Sequence, residues 1–445
     1  MSRLMLGLVA AVLVCAASAQ AQSSASRLSH AALDQAAAAI EPKLLEWRRH
    51  LHQHPELSNR EQKTAEFIAT QLRSFGLEPR TEIARHGVTA VLKGGKPGPV
   101  VALRADMDGL PVTEQSGEPF SSIAKGEFEG RQVGVMHACG HDAHMAMLLA
   151  AAKVLTDFRA ELPGSVVFIF QPAEEGAPQG ETPAGAQAMI DAGVLKSPVV
   201  NAIFGLHVFA NIPTGHLAWR SGPKMAAADR FEIIVRGRQT HGAVPWAGVD
   251  PIVVGSQIVL GLQTIVSRQV NITKQPAIVT VGQFEAGTRN NIIPESARLV
   301  GTIRTFDGAM QEQIHQAVRR TATQIAAAMG ANADVKIERG YPVTANDPEL
   351  TAQMLPTIKR VAGAGAVEGE LSTGAEDFSY FQQQVPGLFI FLGITPQAEV
   401  GKAPHNHSPL FKVDEAALVT GVRALTHLTF DYMINHGASR ARGAR

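Results

Sequence analysis

From Met136 to His144 the chain reads Met136-His137-Ala138-Cys139-Gly140-His141-Asp142-Ala143-His144, a thiol, three imidazoles and a carboxylate in one short run. A cluster of that composition has few uses other than holding a metal ion. A lone Cys is more often a small buried hydrophobe. The metal reading of Cys139 rests on Gly140 and His141, which follow it directly. Farther on stand the adjacent carboxylates Glu174 and Glu175. Neighbouring carboxylates cannot both ligate one ion comfortably, so one can bind while the other stays free as a general base. Metal-assisted hydrolysis needs that division: the ion lowers the pKa of a bound water, and the free carboxylate takes and passes on its proton. By itself a Glu-Glu pair is usually a solvated loop.

The elements around these residues explain how they could meet. Apolar positions recur at helical spacing over 31–54 and 64–75, and an apolar helix opens at His141 or Asp142 and runs to about 158. Short apolar strands are expected at 88–92 and 100–103, and continuous apolar runs at 166–170 and 203–208 have the look of strands buried on both faces. Strands alternating with helices indicate an α/β layer with a mixed, largely parallel sheet flanked by helices. Ligands in such sheets gather beyond the carboxyl ends of the strands. There lie Arg104-Ala105-Asp106-Met107-Asp108, Glu174-Glu175 and His207, with His405 and His407 late in the chain as further candidates.

Near Gly222 the pattern changes to strand, helix, strand, strand, helix, strand: 230–236, 251–270, 277–284, 297–305, 309–329 and 333–338. This is the ferredoxin-like β-α-β-β-α-β order. The expected division is a catalytic domain in two segments, 30–221 and 337–436, interrupted by an inserted lid or dimerisation domain at 222–336. In that insert His241, after a strand, could donate to a developing oxyanion.

The first residues read as a secretory signal over 1–21: Arg3, an apolar stretch over 4–17, and the small-x-small site Ala19-Gln20-Ala21. Cleavage near Ala21 implies an exported protein, periplasmic in a Gram-negative bacterium. It also removes Cys15, one of only 2 Cys, and leaves Cys139 without an intrachain partner. Val14 makes Cys15 a poor lipid-attachment site. No other stretch is expected to cross a membrane. Lys+Arg 40 balances Asp+Glu 40, which leaves no basic field for nucleic acid.

The chain resembles the M20-type metallopeptidases, specifically the amidohydrolase branch of hippurate hydrolases and hydrolases of indole-acetyl amino acids. The resemblance spans nearly all of the mature chain. It rests on Trp47-Arg48-Arg49-His50-Leu51-His52-Gln53-His54-Pro55-Glu56-Leu57, Leu103-Arg104-Ala105-Asp106-Met107-Asp108-Gly109-Leu110-Pro111 and the Cys139/His141 motif. It continues through Gln171-Pro172-Ala173-Glu174-Glu175-Gly176, Gly205-Leu206-His207, Gly374-Ala375-Glu376-Asp377-Phe378 and His407-Ser408-Pro409.

The resemblance implies two divalent metal ions, manganese or zinc foremost, with cobalt or nickel also compatible with a mixed S/N/O donor set. Cys139, His141, Glu175, His207 and His407 would be the ligands, with Cys139 bridging. His407 is preferred to His405 because Ser-Pro follows it. Glu174 would be the general base and acid, and Asp106 the carboxylate that orients a ligand imidazole. His137 and His144 are assigned to packing or outer support. Asn291 and Arg304 would hold a substrate carboxylate, with Gly374 and Ala375 adding backbone donors; otherwise Arg304 belongs to a strand-surface salt bridge. In similar enzymes the inserted domain forms a homodimer contact, and its His reaches the partner's site. The implied reaction is hydrolysis of the amide bond of N-acyl amino acids. The alternatives are a carboxypeptidase or dipeptidase on the same site, or a non-catalytic metal or amino-acid binder.

Overall fold

A computed structural model describes residues 28–442; the signal segment and Cys15 lie outside the described residues. The larger sheet has eight strands in the order Arg80–Ile83, Gly87–Lys93, Pro163–Gln171, Lys96–Asp106, Ala202–Pro213, Gly387–Thr395, Leu217–Trp219 and Ala366–Glu368. The central strands Pro163–Gln171, Lys96–Asp106, Ala202–Pro213 and Gly387–Thr395 run parallel. These are the continuous apolar runs, and packed side chains cover both their faces. The central helix His141–Asp157 is buried over nearly its whole length and lies against one face with Leu418–Arg442.

Strand Gly387–Thr395 pairs with Ala202–Pro213, so chain beyond the insertion completes a sheet begun before it. The insertion is a four-stranded antiparallel sheet in the order Ala277–Ala286, Ser296–Thr305, Ala227–Arg236 and Asn332–Arg339. Helices Pro251–Thr264 and Gly308–Ala328 pack on it around Phe231, Ile233, Leu299 and Ile314. The last strand runs past the expected boundary at 336, because the strand pairing holds to Arg339.

Two expectations need correction. The helix expected over 31–54 is two helices, His30–Ala39 and Glu41–Gln53, broken at Ile40 because Pro42 lacks the amide a continuous helix needs. No stretch beyond the signal was expected to be apolar enough to span a membrane. Yet Pro251–Gln269 is, by length and composition. Its Val254, Ile258 and Leu262 pack on the sheet, while Val253 and Leu260 remain exposed.

Candidate metal centre and substrate cavity

The candidate residues converge at the carboxyl ends of the parallel strands. Strand Lys96–Asp106 delivers Asp106 and, just beyond it, Asp108. The turn after Pro163–Gln171 carries Ala173 at φ 52, its N–H donating to Glu61 Oε1 at 2.8 Å. The amides of Glu174 and Glu175 then both donate to the Asp108 carboxylate at 3.0 Å, which fixes the acidic pair against the strand end. Gly140 caps helix His141–Asp157 at φ 92, where an added Cβ would lie 2.3 Å from Val208 Cγ2. Only glycine fits there, and this close approach brings Cys139 against the strand that carries His207. His407 is held in the left-handed region at φ 73 by its N–H bond to the Ala138 carbonyl at 2.8 Å.

Cys139 Sγ lies 3.3 Å from His207 Nε2 and 3.3 Å from His407 Nε2. His407 Nε2 lies 3.0 Å from Glu175 Oε1. His141 Nε2 faces Asp106, Glu174 and Glu175 at 3.8, 3.8 and 3.9 Å, too far for hydrogen bonds. Donors held roughly 2.0–2.3 Å from a common ion at tetrahedral angles stand about 3.3–3.8 Å apart. The spacing therefore suits a cation better than direct contact. Five donor groups can be drawn among the described residues; two of them, Cys139-His141-His207 and Cys139-Glu175-His407, share the thiol, and Glu174 enters two others, one with His141 and Glu175 and one with Glu376 and Asp377.

The electrostatics agree. Both ring nitrogens of His141 are buried without a hydrogen-bond partner among the described residues, and the buried Glu175 Oε1 faces His407 Nε2. Burial, then the charges of Glu175, Glu174 and Asp106, holds the Cys139 thiol well above its ordinary pKa. Burial, then Glu376 and Glu175, raises the Glu174 carboxyl in the same way. So many acidic groups around orphaned imidazoles require a counter-charge, and the residues present fit divalent ions.

A cavity of about 500 Å³ opens over this cluster, lined among others by Cys139, Glu174, Glu175, His207, Arg304 and His407. Gly374 and Ala375 also border it, although the Gly374 N–H is spent on Ser372 Oγ at 3.3 Å. Arg304 is half-buried and, among the described residues, has no ion pair, although the charge of Asp229 acts on it. His405 packs against Asn211 Nδ2, whereas His407 Nε2 faces Cys139 Sγ at 3.3 Å.

Asp106 faces His141 Nε2 at 3.8 Å. Its direct bonds go to His144 Nδ1 at 2.6 Å and Arg104 at 2.7 Å, and His144 Nε2 in turn accepts the Val208 amide. The carboxylate nearest His141 Nδ1 is Asp108, at 3.4 Å. His137 is buried without a partner for either ring nitrogen, and burial lowers it to about 4.

His241 and Asn291 do not line the cavity of their own chain. They neighbour each other on the inserted domain, where the Gly242 amide bonds the Asn291 carbonyl at 2.8 Å and strand Thr240–His241 pairs with Ile292–Ile293. Asn291 therefore does not join Arg304 within one chain, because a separate two-stranded ribbon carries it.

Sequence reasoning missed Asp108, Glu376 and Tyr341. Asp108 and Glu376 sit inside motifs already quoted, beside residues that drew the attention. Glu376 accepts from Arg104 at 2.9 Å behind Glu174. Tyr341 lines the cavity and donates to the Glu174 carbonyl at 2.6 Å. It lies just past the inserted domain with no local signal.

Residues 102–431 match the model of peptidase family M20/M25/M40. A protein of Saccharolobus solfataricus named thermostable carboxypeptidase 2 is 40% identical over 87% of this chain and 94% of its own length. The N-acetylcysteine deacetylase of Bacillus subtilis is 39% identical over 88% and 97%. The crystal structure of the Bacillus subtilis YXEP protein, described as a dinuclear metal binding peptidase from the M20 family, superposes with a TM-score of 0.76. It is 36% identical and covers 89% of this chain and 99% of that one.

Proposed function

This chain belongs to peptidase family M20/M25/M40 and is a metal-dependent amidohydrolase or peptidase, and we propose that within this range it hydrolyses the amide bond of N-acyl amino acids. The observation that carries the proposal is the buried Glu174 carboxyl, which stands beside the two donor groups that share Cys139, belongs to neither of them, and also meets His141 and Glu175 in a third group.

Cys139, His141, His207, Glu175 and His407 would hold two divalent ions, with Cys139 common to both. The similarity to the dinuclear M20 peptidase supports two ions, and the mixed donors suit manganese or zinc. When bound, the ions polarise the acyl carbonyl and lower the pKa of water held beside it. Every other step falls to the chain. Glu174 takes the proton of the attacking water and delivers it to the amide nitrogen as the C–N bond breaks. Its raised pKa suits it to hold that proton in between. Glu376 and Arg104 fix the polar floor behind it, and Tyr341 anchors its backbone. Arg304, with no internal partner, pairs bidentately with the free carboxylate of the amino acid.

The oxyanion donor is assigned to His241 of the partner subunit, with Asn291 of the partner subunit beside the carboxylate. The separation of these residues from their own cavity supports that arrangement, as do exposed apolar side chains elsewhere on the same domain: Trp246, Val253 and Leu260. The protein would act as a homodimer, exported through the 1–21 signal to the periplasm.

A peptide reading remains the competitor, since one relative is named a carboxypeptidase. Metal analysis of the purified mature protein, then rates on N-acetyl and N-benzoyl amino acids beside dipeptides, tests the choice. Dipeptides cleaved faster than every acyl amino acid would replace the proposal.

A further inference from the structure

A second cavity of about 470 Å³ adjoins the first, and Phe209, Ser372 and His405 line both. Its walls are largely apolar: Ile212, Pro213, Ala218, Val367, Leu371 and Phe391. Its polar lining includes Asn211, Glu370 and Thr373, and Lys224 brings a positive charge. The Lys224 side chain is buried, and its Nζ stands 3.9 Å from the centre of the Phe391 ring. On the other side a Cβ added to Gly369 would lie 2.5 Å from that nitrogen, so glycine leaves room for the ammonium. Phe391 and Gly369, which flank that nitrogen, border the cavity together with Lys224.

No carboxylate pairs with Lys224 among the described residues. The nearest charged group acting on it is another cation, Arg220, which donates to the Gly369 carbonyl at 3.1 Å. Glu368 lies 4.0 Å from Arg220, and Glu370, on the cavity rim, is exposed. Burial, then Arg220, lowers Lys224 to about 8, so it still carries its proton at neutral pH. A cation–π contact compensates only part of the cost of an unpaired buried ammonium. An anion entering the cavity would supply the rest.

We propose that this cavity receives the acyl group of the substrate and that Lys224 selects acyl chains ending in a carboxylate, so that the preferred substrates are amides of a dicarboxylic acid with an amino acid. The inference rests on the N-acyl amino acid reading above. With the amino-acid carboxylate at Arg304 and the scissile carbonyl over Cys139 and His207, the acyl chain leaves past Phe209 and His405 into the second cavity. Its apolar walls take the methylenes, and Lys224 takes the terminal charge. The ammonium lies two ring contacts from the metal cluster, through Phe391 to His207.

The test pairs N-succinyl and N-glutaryl amino acids with neutral acyl analogues of the same chain length, on the metal-loaded wild-type enzyme. The carboxylate-ended member should be preferred in kcat/KM by on the order of 10- to 100-fold, the range of a charge-assisted contact. In Lys224→Met that ratio should fall toward one, and in Lys224→Arg it should be kept at least in part. A merely structural lysine would change both members alike. Neutral acyl amino acids turned over as fast as their charged partners overturn the inference and leave the amide-hydrolase reading standing. No turnover of either member, with dipeptides cleaved instead, overturns both. The wild-type ratio decides even if Lys224→Met fails to fold.

Discussion

The surroundings of Cys139 and of His241 differ in almost every physical respect. Around Cys139 the groups are buried and held from behind: Asp108 by two backbone amides, Asp106 by Arg104 and His144, and Glu376 by Arg104. Around His241 the surface is open. The ring is exposed, its Nδ1 accepts the Ala243 amide at 3.0 Å, and on the same domain Trp246 is 80% exposed and Leu260 63%. The first region is fixed by contacts within a single chain. The second carries polar side chains and apolar surface away from the cavity of its own chain. Precision comes from buried charge networks, which the exposed surface around His241 does not share.

Ways to break this contrast rank by expected effect. Glu174→Gln should keep its metals, checked by elemental analysis, and lose roughly 10²–10⁴-fold in kcat. Wild-type-like turnover would remove Glu174 from the mechanism. His241→Ala should lose about 10²–10³-fold. Its decisive test is complementation: coexpressed Glu174→Gln and His241→Ala chains should regain activity in mixed dimers, because one site then has both intact groups. Failure to regain it, with mixed dimers isolated, would place His241 outside the partner's site. Arg304→Ala should lower kcat/KM by roughly 10- to 100-fold, mainly through KM. Leu260→Asp should shift the mass in solution from dimer toward monomer; a monomeric wild type would dismiss the dimer outright.

The smallest effect concerns stability in the buried region. Burial alone would lower His52, but Asp142 at 2.8 Å and Glu114 at 3.0 Å outweigh it and raise the imidazole to about 9. A folded-state value above the ordinary 6.5 contributes stability in full below that pH. The contribution is lost as pH rises from about 6.5 toward 9, at no more than about 1.4 kcal/mol per pH unit. Denaturant midpoints from pH 6 to 9.5 should fall in wild type and flatten in His52→Gln.

Periodicity made most elements legible. The alternation in Arg230–Arg236 and the apolar runs at 166–170 and 203–208 mark strands because side-chain burial repeats with the backbone. The break at Ile40 was masked, because apolar spacing continues across it even though the backbone does not. Cys139, His141, Glu174 and Glu175 were visible as local motifs. The preference for His407 over His405 rested on the Ser-Pro after it, since both stand in the same loop, and the left-handed turn at His407 is what aims that ring at the thiol.

Residue types and their order alone determined an α/β scaffold, an inserted ferredoxin-like unit and a chemistry of thiolate, imidazole and carboxylate donors. Tertiary structure alone decided which of these groups meet. Strand order brings together Asp108, Glu174 and His141 at one sheet edge, leaves Asn291 and His241 on another surface, and seats an unpaired Lys224 beside the cavity. The reason is physical: local propensity acts over neighbouring residues, whereas charge compensation depends on distance in space.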